Sequence, residues 1–216
     1  MLRAMPYIPD LGALLTAGHR AEHDGITYVV EPYELGPILL PTGKVVACDP
    51  LVPQGTPFTE TVEPGRYRLR AWVAVLHRDG TEWQRRITAL QLVVADEPAA
   101  SWDLALLPDE DPASLDDDQI FGYGVDSGTG TLADQAAIEA LGDWDFDDLE
   151  DVFIPSQISD DPIEAVISAV ADKQSNANIY VVGSGWGDGA YATYLGRTGE
   201  GRITSFVTDF CVVPGE

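Results

Sequence analysis

The sequence predicts an α+β fold of mostly antiparallel β-structure, a sandwich or a rolled sheet, with two or three short helices in the second half. Short segments rich in Val, Ile and Leu alternate with Pro and Gly in the first half. An Asp-Gly hairpin signal separates two of these segments, and helix signals come only later. The 216 residues are 45% hydrophobic and 22% charged, as in ordinary globular proteins. We therefore expect one domain over residues 1–216.

The first half predicts an antiparallel meander. Residues 65–76 alternate well between two faces. One face carries Tyr67, Leu69, Ala71, Val73 and Val75, and the other, half-solvated face carries Arg66, Arg68, Arg70 and Trp72. Asp79-Gly80 supplies the turn into the next strand. An apolar run ends at Gly18, so any helix there stops before His19. The strands are expected at 26–31, 36–40, 44–48, 65–76, 85–95 and 101–107.

The second half mixes helices and strands. Residues 121–130 predict a strand that runs into a tight turn. A capping-box pattern predicts a helix from Thr131, with Asp134 three residues later and Gly142 at its end. Asp161-Pro162 opens a second predicted helix with an apolar stripe from Ile163 to Val170. The stretch 143–153 is expected to be a loop or a short helix, and the last strands at 178–183, 190–195, 201–208 and 210–213.

Charge is distributed very unevenly. Residues 1–95 carry nine basic and ten acidic side chains, whereas residues 96–216 carry three and 26. Residues 108–161 form an acidic, loop-rich stretch without a single Lys or Arg. A field of one sign repels nucleic acid and anionic lipid, so we expect neither nucleic acid nor a membrane as a partner. Basic proteins and cations are the partners that this charge favours, although acidic surfaces also simply aid solubility.

Two catalytic motifs match only in part. Residues 19–23 read H-x-x-E-H, but Gly18 and Asp24-Gly25 flank them, so the helix that a zinc site needs is not predicted. Residues 125–129 match the aspartic-protease string around Asp126, yet that mechanism requires two such aspartates. We expect a polar loop at the first motif. At the second we expect a glycine turn in which Asp126 accepts backbone N–H bonds.

Residues 183–189, GSGWGDG, form the densest glycine stretch. They match neither a phosphate-binding nor a dinucleotide-binding loop, because a strand and not a helix is predicted next. Glycines at these positions permit positive φ angles and would present Trp186 and Asp188 on a tight loop. This glycine-rich pattern is therefore typical either of a simple hairpin turn or of a site that binds a cation or a protein partner.

The chain resembles the bacterial domain of unknown function 4241 family. The segments that carry the resemblance are FGYGVDSGTG, SGWGDGAYATYLG and VTDF, together with GKVVACDPL further upstream. The family is marked by a Gly-Asp-Gly motif, here Gly187-Asp188-Gly189, and the similarity spans about residues 36–210. The resemblance implies one intact family domain and no particular activity. Its aspartates correspond here to Asp49, Asp126, Asp134, Asp188 and Asp209.

Two functions follow as expectations, and the sequence does not decide whether the protein is an enzyme. The first is a non-catalytic acidic protein that binds a basic protein, with an immunity or protective role as one version. The alternative is a metal-dependent hydrolase or divalent-cation-binding protein in which Asp126, Asp188 and Asp209 converge. No other cofactor is expected. The candidate binding residues are Tyr123, Asp126, Trp186, Gly187, Asp188, Gly189 and Asp209.

A cytoplasmic location is expected. The N-terminal residues lack the apolar core of a secretory signal, and no apolar run approaches 18 residues. The two cysteines, Cys48 and Cys211, are expected to be buried free thiols, as in a reducing compartment.

Overall fold

A computed structural model describes residues 9–116, 119–154 and 159–215. This part of the chain contains thirteen strands and three α-helices. The helices are α1 (Leu11–Leu14), α2 (Gln135–Leu141) and α3 (Phe146–Phe153). The strands are β1 (Arg20–His23), β2 (Ile26–Leu40), β3 (Val45–Cys48), β4 (Gly65–Arg78), β5 (Thr81–Val93), β6 (Ser101–Leu104), β7 (Tyr123–Val125), β8 (Thr129–Asp134), β9 (Ile167–Asp172), β10 (Ala177–Gly183), β11 (Gly189–Tyr191), β12 (Thr193–Arg197) and β13 (Ile203–Asp209).

The described strands form two main sheets and a short ribbon. The larger sheet has seven strands in the order β1-β2-β4-β5-β13-β12-β6, and the smaller has four in the order β3-β8-β10-β9. The ribbon pairs β11 with β7. All of these pairings are antiparallel. The predicted α+β class, mostly antiparallel with short helices, is confirmed.

The hairpin of β4 and β5 forms as the sequence predicts. Asp79 and Gly80 adopt positive φ angles of 52° and 76°. This is the conformation that a two-residue turn needs to match the twist of its strands, and it explains the Asp-Gly pair. The predicted strands at 26–31 and 36–40 are one strand, β2, with a bulge at Glu34–Gly36. Gly36 has a φ of 135° there, which accounts for the interruption that the sequence shows.

The main core lies between the seven-stranded and four-stranded sheets. From β4 it receives Leu69, Ala71, Val73 and Val75, so the predicted inward face is confirmed. The opposite face is less solvated than expected. Trp72 is only 4% exposed and packs in a second apolar cluster with Leu11 and Leu14 of α1. The larger sheet is therefore covered on both faces in its central part.

Two helix predictions are corrected by the structure. Thr131 lies in β8, and α2 begins only at Gln135 with Asp134 as its N-cap. Residues 161–165 form turns, and the stripe that ends at Val170 belongs to strand β9. Val170 pairs with Asn178 of β10, and this cross-strand pairing outweighs the helical spacing of a β-branched segment. For residues 143–153 the sequence allowed a loop or a short helix, and the structure has the helix α3.

Three further predictions differ in detail. Four of the five H-x-x-E-H residues, 20–23, were expected in a loop but form β1, and an extended chain cannot place His19 and His23 as helical metal ligands. The strand expected at 101–107 ends already at Leu104 as β6, which pairs with β12. Residues 210–213 are not a strand, because Cys211 turns the chain with a φ of 55°.

The two cysteines are free, Cys48 buried as expected and Cys211 exposed. Of the acidic stretch 108–161, residues 117, 118 and 155–158 lie outside the described residues. Among the helices that are described, none is long and apolar enough to cross a membrane.

Candidate functional site

The two aspartate-glycine motifs meet in space and form what we call the paired loops: the turn Asp126–Gly128 and the loop Ser184–Asp188. The turn joins β7 to β8, and the loop joins β10 to β11. The backbone N–H of Ser184 donates to the carbonyl of Gly128 at 3.0 Å. On either side, Gly183 pairs with Thr129 and Gly189 pairs with Val125. Segments some sixty residues apart in sequence (position 126 against 188) therefore form one surface.

Asp49 holds the turn in place from β3. Its carboxylate accepts the backbone N–H groups of Asp126 at 3.0 Å and Ser127 at 2.9 Å. The same carboxylate accepts the Ser127 hydroxyl at 2.7 Å. It also accepts the N–H of Leu51, which is the local turn expected for an Asp before a proline. The role predicted for Asp126, a carboxylate that binds the N–H groups of this turn, thus belongs to Asp49, while Asp126 itself is exposed.

We expect Asp49→Ala to lower the free energy of unfolding by about 2 kcal/mol, because Asp49 is only 3% exposed and its loss leaves several donors without an acceptor. Urea unfolding at neutral pH measures this value. Ser127→Ala, which removes one of the bonds and leaves the acceptor, is the matched control and should cost about half as much or less. Equal stability of Asp49→Ala and the wild type would contradict the role of Asp49.

The backbone conformation of the loop Ser184–Asp188 requires glycine at two positions. Gly185 and Gly187 have φ angles of 61° and 112°, which other residues rarely adopt. A Cβ at Gly185 would also lie 2.7 Å from the carbonyl oxygen of Phe210. The Tyr191 hydroxyl donates to the carbonyls of Ser184 at 3.0 Å and Gly187 at 2.6 Å. The loop is thereby fixed from beneath by a side chain that the sequence did not single out.

The paired loops present an indole and two carboxylates to solvent. Trp186 is 53% exposed, and the Arg86 guanidinium lies 5.6 Å from its ring centroid. Asp126 and Asp188 are both exposed, and each stands next to the Val125–Gly189 pair of the ribbon. Five predicted binding residues, Asp126, Trp186, Gly187, Asp188 and Gly189, therefore lie in this one surface. The flexible-looking glycine stretch is a defined loop held by backbone and tyrosine hydrogen bonds.

Tyr123 lies behind this surface in the core. Its ring packs edge-on against Tyr191, with centroids 6.5 Å apart. Burial raises the pKa of Tyr123, and the Cys48 thiol adds to this, while the Thr208 hydroxyl opposes it. The Tyr123 hydroxyl is buried near the Thr208 hydroxyl and forms no hydrogen bond of ordinary geometry among the described residues.

Asp209 does not join Asp126 and Asp188. It is 7% exposed and lines a separate cavity of about 210 Å³ with His19, Arg20 and Glu22. Its carboxylate accepts the N–H of Cys211 at 2.8 Å, and burial raises its pKa to about 6. Among the residues that the structure describes, no group of three or more His, Cys, Asp or Glu side chains is arranged to hold a metal ion. The three carboxylates proposed for a cation site are thus not one cluster.

A second surface gathers the acidic residues. Helix α3 buries Leu149 and Phe153, and Trp144 stacks on Phe153 at a centroid distance of 6.1 Å. Between this helix and β9 lies an open groove of about 590 Å³. We call it the acidic groove, and its carboxylates are those of Asp143, Asp148, Asp151 and Asp172, with Lys173 beside them.

Within the described residues, the carboxylates of the acidic groove have no ion-pair partner. The ion pairs among the described residues use carboxylates before position 104 or after position 160, most of them with arginines of the larger sheet. Of the apolar side chains that line the groove, Val152 is 36% exposed and Trp144 is half-buried. The groove thus combines unpaired negative charge with apolar contact area.

Together, the described architecture defines a β-rich domain whose paired loops are built from two separated sequence segments, those around Asp126 and Asp188, with Asp49 holding the first of them. The model of the family described as "Protein of unknown function (DUF4241)" matches residues 38–208, well over half of the chain. The chain belongs to this family, as the resemblance predicted. No curated protein and no solved structure was found to match it.

Proposed function

We propose that the protein is a non-catalytic binding protein that holds a basic segment of a partner protein in the acidic groove between α3 and β9. The observation that carries the proposal is the set of four groove carboxylates without ion-pair partners among the described residues. The negative electrostatic field of these carboxylates attracts a positively charged surface and speeds its association.

The exposed apolar side chains beside the groove support a protein and not a free cation as the ligand. Trp144 and Val152 line the groove together with Asp148 and Asp151. Aromatic residues at the centre of an interface contribute most of the binding energy, while charges around them set the rate and specificity of association. A basic partner with apolar residues among its lysines and arginines fits both properties.

Neutralising or blocking a basic toxin, in an immunity-type role, is one concrete form of this function. A cytoplasmic setting agrees with the two free cysteines. The net charge of −24 is negative and therefore attracts a positively charged partner of this kind.

Capture from a native lysate at low salt, followed by affinity measurement on the purified captured protein, tests the proposal. The double variant Asp148→Asn/Asp151→Asn removes two groove charges whose side chains form no ion pair within the described chain. We expect it to weaken binding by about tenfold or more and to reduce the salt dependence of the dissociation constant. Val152→Ala, which removes apolar contact area from the groove and no charge, should weaken binding without changing the salt dependence.

Asp24→Asn/Asp79→Asn is the matched control. It removes the same charge from two hairpin turns of the larger sheet, where φ angles of 48° and 52° suit asparagine. Affinity should stay within about twofold of the wild type. Equal loss in both double variants, or capture of no basic protein, would overturn the groove proposal. Stabilisation by one divalent cation that Asp188→Asn abolishes would point to the cation alternative instead.

A further inference from the structure

The cavity between α1 and β1 is not used by the proposed function. The segment that follows β13 forms its third side, and its volume is about 210 Å³. We call it the α1 cavity, and its charged side chains are those of Asp10, Arg20, Glu22 and Asp209. An engineered core cavity of about 150 Å³ holds a benzene molecule. The α1 cavity is therefore large enough for an organic molecule slightly larger than benzene.

Asp209 presents an unpartnered carboxylate oxygen to the α1 cavity. One oxygen accepts the N–H of Cys211 at 2.8 Å, and the other forms no hydrogen bond or ion pair with the described residues. Asp209 is only 7% exposed, yet this second oxygen is not among the partnerless polar atoms that are sealed from solvent. It is therefore accessible from the cavity that Asp209 lines. Buried carboxylates are normally paired or hydrogen-bonded, so a cationic group in the cavity would complete the interactions of Asp209.

Arg20 brings a positive charge to the same cavity without pairing with Asp209. The ion pairs among the described residues do not include Arg20, although Glu22 lies on the same face of β1. Burial raises the pKa of Asp209 and the N–H of Cys211 lowers it, and no arginine contributes. The α1 cavity thus holds two groups of opposite charge that do not neutralise each other.

Apolar side chains complete the wall of the α1 cavity. Leu14 is buried, and Ala13 and Val213 are half-buried. The carboxylate of Asp10 is already engaged, because it caps α1 through the N–H of Ala13 at 2.9 Å. Pockets for small molecules combine apolar wall area with a few polar groups that orient the ligand.

We propose that the α1 cavity binds a small zwitterionic amino acid with an apolar side chain, its ammonium group on Asp209 and its carboxylate on Arg20. An ammonium group donates up to three hydrogen bonds, and a guanidinium group recognises a carboxylate through two parallel ones. A zwitterion satisfies both charges of the cavity at once. The inference is independent of the acidic groove, which lies against β9 on the four-stranded sheet.

Leucine and two analogues that each lack one charge test the site. Leucine without its carboxylate is isopentylamine, and leucine without its ammonium group is isocaproate. Calorimetry and NMR titration of the full chain with millimolar probe compare the three affinities at about pH 7.5, because Asp209 with a pKa of about 6 is ionised there. Leucine should bind about tenfold more tightly than either analogue.

Each charge of the cavity has its own variant. Asp209→Asn keeps an acceptor for the N–H of Cys211 and should reduce the affinity for leucine to that for isocaproate. Arg20→Gln removes an exposed side chain that forms no ion pair within the described chain, so the fold should persist. It should reduce the affinity for leucine to that for isopentylamine. Arg66→Gln and Asp79→Asn change exposed residues outside the cavity and should stay within about twofold of the wild type.

Failure of leucine to bind the wild type would overturn the proposal. So would equal affinities for leucine and for either analogue. Leucine binding that either Asp209→Asn or Arg20→Gln leaves unchanged would overturn the contact assigned to that residue and, with it, the two-charge recognition.

Discussion

Asp134→Ala is expected to lower the free energy of unfolding by about 4 kcal/mol. Asp134 is fully buried, and its carboxylate accepts the backbone N–H groups of Thr42, Gly43 and Ala136 at 2.9–3.1 Å. It also accepts the Thr42 hydroxyl at 2.9 Å. The substitution leaves three backbone donors without an acceptor in a place that water does not reach freely. Urea unfolding with a far-UV circular dichroism signal measures the loss.

Asp145→Ala is the control for this prediction. Asp145 caps α3 through one bond, to the N–H of Asp148 at 2.8 Å, and that bond is exposed to solvent. An exposed N-cap contributes about 1 kcal/mol, so the control should lose about a quarter of what Asp134→Ala loses. Similar losses in the two variants would show that Asp134 acts only as a helix cap and does not tie β8 to the segment before β3.

Asp209→Asn is expected to stabilise the protein at neutral pH. Burial raises the pKa of Asp209 from 3.8 to about 6, so the folded state holds a proton that the unfolded state has released. The stability that this proton gives is fully present below about pH 4 and is lost as the pH rises through 6. Two pH units correspond to about 3 kcal/mol. Asparagine keeps an acceptor for the N–H of Cys211 and does not ionise.

The measurement is the difference in free energy of unfolding between Asp209→Asn and the wild type across pH 4 to 7. The difference should grow by about 3 kcal/mol with rising pH. Asp10, His19, Arg20 and Glu22 line the same cavity and are present in both proteins, so the difference between the two proteins isolates Asp209. A difference that stays constant over this range would show that the Asp209 carboxylate is ionised throughout.

Local signals predicted the parts of the fold that local physics determines. The Asp-Gly turn requires only its two residues to adopt positive φ angles, and the alternation of β4 requires only one apolar face. The helix predicted at 161–170 was wrong because the apolar residues of this segment match a helical spacing and, from Ile167 onward, also an alternating one. Pairing with β10 decided between them, and a single segment carries no information on its partner strand.

The sequence predicted that the two glycine-aspartate motifs carry candidate binding residues but not how these residues are arranged. The motif residues around Asp126 and Asp188 do meet, but the supporting role of Asp49 depends on a contact 77 positions away. Asp209 was grouped with them because its strand is a neighbour. Alternation along β13 places Thr208 toward Thr193 in the core and its successor Asp209 toward α1 on the other face. Asp209 therefore lies outside the site because it stands one position further along β13 than Thr208.

The paired loops have a consequence for the synthesis of the chain. Asp49 and the turn at Asp126 leave the ribosome well before the loop at Asp188, and Tyr191, which fixes that loop, follows later still. Closing contacts between such distant segments is slow and comes late in folding. A chain halted before Tyr191 would carry the family's first two motifs without displaying their common surface. Only a nearly complete polypeptide can therefore present the paired loops as one surface.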